Sequence, residues 1–233
     1  MTRFSYALTN GLYSAIVQKK QCGSKKDAIM QWRLFFIVIS VGLAMPAWAD
    51  FTSGLAAYQQ GEFATAIREF KADGSPRSSY QLGVMYFNGK GVTADKEEAV
   101  RWIRKAAERG DAQAQEFLGT LYFRDKIIKT DRAEGLKWLR KAADQGFAKA
   151  EYDLFLCYQN GDGVAQSKDE AVKWLRQSAE HGYSESQYIL GRMYFTGDGN
   201  TAQNNEEAAK WFRKAAQQGH GKAERALFNL GVK

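Results

Sequence analysis

The stretch AVRWIRKAAERG, Ala99–Gly110, comes back three times: as GLKWLRKAADQG from Gly135, AVKWLRQSAEHG from Ala171 and AAKWFRKAAQQG from Ala208. A site is usually built once and a building block many times, so this recurrence decides the fold. Working outward from it, other columns keep the same register. Leu82, Leu118, Leu154 and Leu190 stand 36 apart, as do Tyr86, Tyr122, Tyr158 and Tyr194. Trp102, Trp138 and Trp174 keep the spacing, and Trp211 follows after 37 because one residue is inserted near Asn200–Thr201. Gly110, Gly146, Gly182 and Gly219 close the units. The repeat region therefore spans 50–233, with full repeats at 75–110, 111–146, 147–182 and 183–219. A degenerate half-repeat, 51–74, precedes them with GLAAYQQGEFATAIREF, and a C-terminal half-repeat follows at 220–231.

Each unit reads as two helices. Ser78, Leu82, Met85 and Tyr86 share one side of the first at helical spacing, and Ala99, Trp102, Ile103, Ala106 and Ala107 share one side of the second. The second helix opens with an N-cap former in every copy: Asp95, Asp131, Ser167 and Asn204. Glu98, Glu134, Glu170 and Glu207 stand three residues on, which predicts a capping box in which the two side chains satisfy backbone N–H groups reciprocally. The closing glycines fit the position just past a helix end. Asn88–Gly91, Asn160–Gly163 and Thr196–Gly199 supply glycines for tight connections, whereas Arg124–Ile127 has none and its loop must differ.

This pattern resembles the Sel-one-like repeat (SLR) family, relatives of the tetratricopeptide repeats. The resemblance rests on L-G-x-x-Y (Leu82, Gly83, Tyr86), the G-x-G loop, A-x-x-W-x-x-K-A-A (Ala99, Trp102, Lys105, Ala106, Ala107) and the closing Gly110, and it covers residues 51–231. It implies an all-α fold, a right-handed α-solenoid of helical-hairpin repeats that works as a protein-binding scaffold. One departure stands out: Phe155 replaces the glycine found at Gly83, Gly119 and Gly191, and a phenyl ring there should push the neighbouring helix outward. One hairpin cannot bury its apolar stripe alone, so stacked neighbours must complete the core.

The formal charge of +7 over 233 residues is unevenly placed. Residues 1–49 hold six Lys/Arg against Asp27, while 50–233 hold 27 basic and 25 acidic side chains, a balance with little pull on phosphate backbones. The basic columns Arg101, Lys137, Lys173, Lys210 and Arg104, Arg140, Arg176, Arg213 come with acids four residues away, such as Glu97–Arg101 and Arg104–Glu108, which predicts a solvated helix face and no nucleic-acid partner. From Met30 the chain reads MQWRLFFIVISVGLAMPAWAD: a basic Arg33, an apolar run from Leu34 to Met45, a breaker at Pro46 and an A-x-A-like end at Ala47–Ala49. Residues 30–49 are thus expected to be a signal peptide cleaved after Ala49, giving a periplasmic or secreted protein with no stable membrane insertion after cleavage. The run falls short of the ~20 residues a spanning helix needs. Residues 1–29 read as an upstream non-native or unstructured leader, with Met30 as the translation start. Only Cys157 lies after the cleavage point, which excludes an internal disulfide framework.

Catalysis finds few players, and no catalytic, cofactor-binding or metal residues are expected. His181 and His220 are the two histidines; His181 ends a second helix, where a cation suits the dipole, and His220 begins the last half-repeat. Cys157 takes the core place of Met85, Leu121 and Met193. Asp162 and Asp198 are single loop acids, too few for a calcium site.

The most informative residues lie on the first helix opposite its core stripe. Tyr80, Val84 and Phe87 fall about 140–200° from Leu82 on a 100° wheel. Their counterparts are Glu116, Thr120 and Phe123, then Tyr152, Leu156 and Gln159, then Tyr188, Arg192 and Phe195. These aromatics either pack against the next repeat or line the inner wall of the solenoid, where aromatic and Arg side chains suit docking. The expected role is an exported adaptor or regulator that holds a protein or peptide partner in its concave face. The alternatives are an envelope enzyme acting on cell-wall material and a membrane-anchored scaffold that retains its leader.

Overall fold

The computed structural model describes residues 50–124, 128–198 and 201–231. The signal peptide expected at 30–49, the leader before it, most of the glycine-free loop and the insertion point at Asn200 lie outside the described residues.

Eleven helices and no strands are found among the described residues. They are α1 (Phe51–Gln59), α2 (Phe63–Asp73), α3 (Pro76–Asn88), α4 (Lys96–Glu108), α5 (Ala112–Arg124), α6 (Arg132–Ala143), α7 (Ala148–Asn160), α8 (Lys168–Glu180), α9 (Ser184–Thr196), α10 (Asn205–Ala216) and α11 (Gly221–Asn229). Segment 51–74 is short but carries two helices, α1 and α2. Each full repeat is one hairpin, α3–α4 through α9–α10, and each helix packs on the next in chain order. The result is the expected all-α solenoid.

The core lies at the seams between hairpins. One cluster joins Ile103, Ala106 and Ala107 of α4 to Ala114 and Leu118 of α5 and Trp138 of α6. The next joins Leu136, Leu139, Ala142 and Ala143 of α6 to Ala150, Leu154 and Cys157 of α7, with Trp174 of α8 against it. Trp102 packs in the same way on Phe70, Leu82 and Met85. The tryptophan of each of these hairpins therefore reaches back into the seam with the hairpin before. Burying one such side chain contributes about 1.5–3 kcal/mol.

The capping expectation holds by half. Asp95, Asp131, Ser167 and Asn204 each accept a hydrogen bond from the backbone N–H three residues on, at 2.8, 3.0, 3.3 and 3.1 Å. The reciprocal bond from the glutamate is replaced. The N-cap residue's own N–H donates to the carbonyl of the first-helix tyrosine: Asp95 to Tyr86, Asp131 to Tyr122, Ser167 to Tyr158 and Asn204 to Tyr194, at 2.8–3.2 Å. That leaves the glutamate free to take the base three residues on, as in Glu98–Arg101, Glu134–Lys137, Glu170–Lys173 and Glu207–Lys210. The outer face is thus paired at three-residue spacing, not the four expected from the sequence.

The inner basic column also differs from its expected pairing. Arg104, Arg140 and Arg176 donate to the hydroxyls of Tyr122, Tyr158 and Tyr194 in the next hairpin, at 3.2, 3.0 and 3.0 Å. They are rungs between hairpins. Gly163 shows why the loop needs glycine. Its φ is +72°, and a Cβ there would lie 2.9 Å from Arg132 Cβ and from Leu136 Cδ1 of the preceding hairpin.

Phe155 does not open the third hairpin. It is 6% exposed and packs on Ala171 and Leu175 of its own partner helix. Ile189 and Met193 of the following hairpin lie against the same cluster, and the Tyr152 ring is 5.8 Å away. The next hairpin's apolar residues absorb the extra volume.

Candidate functional site

Clefts open between successive first helices, and the residues that reach them are set by the core columns. With Leu118, Leu154 and Leu190 buried, Thr120, Phe123, Leu156, Gln159 and Arg192 are left at the mouths of clefts between first helices. Thr120, Phe123 and Leu156 come together at a cleft of ≈ 140 Å³ between α5 and α7, crossed by an ion pair between Arg132 and Asp162 at 3.2 Å. Thr120 and Leu156 also line an adjoining hollow of ≈ 470 Å³ with Lys149, Tyr152 and Tyr183. One repeat on, Arg192 and Gln159 stand at a cleft of ≈ 440 Å³ between α7 and α9.

The first residue of each triplet turns instead toward the start of the next hairpin. Tyr80 meets the Phe117 ring edge-on at 6.3 Å, and Phe87 meets the same ring at 5.5 Å. Phe117 thus stands beside both aromatic residues of the first triplet. Tyr152 lies 5.1 Å from the Tyr183 ring, and Tyr188 stacks on His220 at 4.7 Å. Burial, with Glu116 and Asp111 nearby, pushes the Tyr80 hydroxyl up to about 12 and keeps it neutral at physiological pH. Val84 is half-buried, and Phe195 is exposed at the surface of α9.

Glu116, the acid in an otherwise aromatic column, is buried and bonded to Lys149 of the next hairpin. Burial would lower the Lys149 ammonium, but the Glu116 carboxylate outweighs it and holds the ammonium above its ordinary value. A lysine raised in this way stabilises the fold below its unfolded pKa, and that contribution fades as the pH rises through the folded one. The pair is therefore intact at neutral pH. Lys149→Met strands a buried carboxylate. Because Lys149 is itself 47% exposed, the expected cost is about 1–2 kcal/mol, below that of a fully buried pair. Adding Glu116→Gln should restore most of it in a urea titration.

The two histidines serve structural bonds. His181 caps the end of α8 and donates through Nδ1 to both oxygens of buried Glu151, at 2.9 Å. The equivalent places in the second hairpin hold Gln145 and Gln115, joined at 2.8 Å. His220 caps α11 through Nδ1, which accepts from the Ala223 N–H, and donates through Nε2 to Glu185 at 2.9 Å. Cys157 is buried and lines the smaller cleft.

Wheel reasoning from one helix missed Lys149, Tyr183, Lys168 and Ile189, which belong to neighbouring elements. The signal for Lys149 was present: a glutamate among tyrosines needs a counter-charge in the hairpin it touches. Among the described residues no helix is long and apolar enough to cross a membrane.

Comparison with known proteins bears on this geometry. The model of the Sel1 repeat matches residues 76–111, 112–147, 148–183 and 184–220, one residue from the boundaries read in the sequence. A Sel1 repeat protein from Oxalobacter formigenes is 30% identical with a TM-score of 0.66, each chain covered to 79%. The protein c5321, described as a protective antigen present in uropathogenic Escherichia coli strains and displaying an SLR fold, is 34% identical with a TM-score of 0.66. That match covers 78% of the present chain and 39% of c5321, so the chain spans well under half of that relative. The immunity protein Pa5087 from Pseudomonas aeruginosa, 22% identical with a TM-score of 0.51, shares the fold. No curated relative matches the chain. The architecture is the right-handed solenoid of helical hairpins expected from the sequence.

Proposed function

The chain belongs to the Sel1 repeat family, whose members are generally protein-interaction scaffolds, and from that premise we propose that it is an exported adaptor or regulator of the bacterial cell envelope. It holds a protein or peptide partner along the concave face formed by its first helices, at Thr120, Phe123, Tyr152, Leu156 and Arg192, with Tyr80, Val84, Phe87, Glu116, Tyr188 and Phe195 extending or bracing that wall. The observation that carries this reading is the contrast between faces. The second helices meet solvent with acid–base pairs, while the grooves between α5, α7 and α9 stay open and mix aromatic and aliphatic side chains with charged and amide ones. Export is supported by the leader and by α1, which begins at Phe51, one residue past the cleavage point, so that maturation would spare the repeats. The bacterial origin of the similar structures, and the description of one as a protective antigen, agree with a protein that leaves the cytoplasm.

Two measurements test this. The mature protein recovered from the periplasm should begin at Asp50; a first residue upstream of Met45 would refute cleavage. A photo-crosslinking amino acid at Thr120, Leu156 or Arg192 should capture a protein in intact cells, while one at Lys137 or Lys173 on the outer face should not. Equal capture from both faces would remove the docking assignment.

A further inference from the structure

The clefts at α5/α7 and α7/α9 are the same place in successive repeats, so they can be compared column by column. Arg132 corresponds to Lys168 and Asp162 to Asp198. Three other columns change character: Asp153 becomes Ile189, Leu156 becomes Arg192 and Phe123 becomes Gln159. The first cleft thus carries one base against two acids, with Arg132 and Asp162 bonded across it. The second carries two bases, Lys168 and Arg192, against the single acid Asp198. Among the described residues neither Lys168 nor Arg192 forms an ion pair.

The floor changes as well. Phe155, in the column of Gly119, lines the second cleft together with Ile189 and Met193 and gives it an apolar portion. The volume of ≈ 440 Å³ is within the range of sites that enclose a bound group. Arg192 also lies 6.0 Å from the centroid of the Tyr188 ring on its own helix.

Resting on the docking reading above, we propose that the cleft between α7 and α9 binds an acidic peptide segment in which leucine or phenylalanine is flanked by aspartate or glutamate. The apolar side chain seats on Phe155, Ile189 and Met193. The flanking carboxylates meet Lys168 and Arg192, both exposed at the mouth of the cleft, so the attraction is screened by salt. A basic segment would meet two like charges there and be rejected.

The test is selection from a random-peptide display library against the protein, followed by anisotropy titration of labelled winners. Acid-flanked leucine or phenylalanine sequences are expected, with binding that weakens as salt is raised. Lys168→Glu with Arg192→Glu should reduce their affinity by about tenfold or more, since attraction becomes repulsion. Lys173→Glu, on the outer face, should leave it unchanged. Circular dichroism checks that the double variant stays folded; if it does not, Arg192→Gln alone, at an exposed position, should still weaken binding severalfold. Selection of basic or uncharged sequences, or affinity indifferent to both variants, overturns the proposal. Peptides lost on Leu156→Asp but indifferent to charge reversal would overturn this inference and leave the docking face standing. Failure to select any peptide, or binders unaffected by either change, would overturn both.

Discussion

Trp138→Ala is expected to destabilise the protein by about 3–5 kcal/mol. Trp138 is 6% exposed, belongs to α6 and packs into the seam between α4 and α5 with Ile103, Ala106, Ala114 and Leu118. Truncation therefore removes the contact that ties one hairpin to the hairpin before it, and leaves a cavity between elements whose backbones cannot close independently. Denaturant titration should show a lower midpoint. It should also show a broadened or two-step transition, as the halves on either side of the seam uncouple. The Lys141 ammonium lies over the same ring, 3.9 Å from its centroid, so some of the lost contact is a cation–π one. Trp138→Phe should cost much less. It keeps an aromatic ring in the seam and deletes an indole N–H that is buried without an acceptor among the described residues. If the alanine variant melts like the wild type, the tryptophan columns do not hold the stack together.

Gly83→Val should be nearly as damaging, for the opposite reason. A Cβ at Gly83 would stand 2.5 Å from Ile103 Cγ1, 3.1 Å from the Ala99 carbonyl oxygen and 3.2 Å from the Ile103 nitrogen. Two of those atoms are backbone of α4, so relief requires the two helices of the hairpin to part. Overpacking of this kind costs about 3 kcal/mol, and it outweighs the gain from removing a helical glycine. Gly83→Ala should be intermediate. A double-mutant cycle with Ile103→Ala, which removes the Cγ1 that the new Cβ would strike, should give a coupling energy well above the error of additivity. Simple additivity would show that the close approach of α3 and α4 is not what constrains the column.

The same column shows where sequence reasoning reaches and where it stops. The repeat length, the two helices per unit, the hairpin boundaries and the seam tryptophans could all be read, because each rests on a column repeated several times at fixed spacing. Phe155 could be recognised as a departure, but its direction could not be read. The ring is accommodated by Ile189 and Met193, residues of another hairpin that no periodicity links to position 155. The outward triplets follow the same logic. A wheel drawn for α3 or α7 treats the helix as if alone, so it cannot say that Tyr80, Glu116, Tyr152 and Tyr188 turn toward the opening residues of the following hairpin. Charge pairing was misplaced by one residue for a local reason. Once the first-helix carbonyl has taken the N-cap N–H, the glutamate that would have closed the capping box points along the helix toward its third neighbour.

That bond from the N-cap N–H to the tyrosine carbonyl has a practical consequence. It forms with eight residues between its ends in three hairpins and with nine in the fourth, and it forms in the second hairpin, whose connection lacks glycine. The clasp at the hairpin's neck thus tolerates an added residue and the loss of glycine in what it encloses. Tags, epitopes or fluorescent reporters could be grafted between the exposed Lys129 and Thr130, past Ile128, which packs on the seam, without unzipping the stack, and natural variants could lengthen these tips while the framework beneath them stays the same.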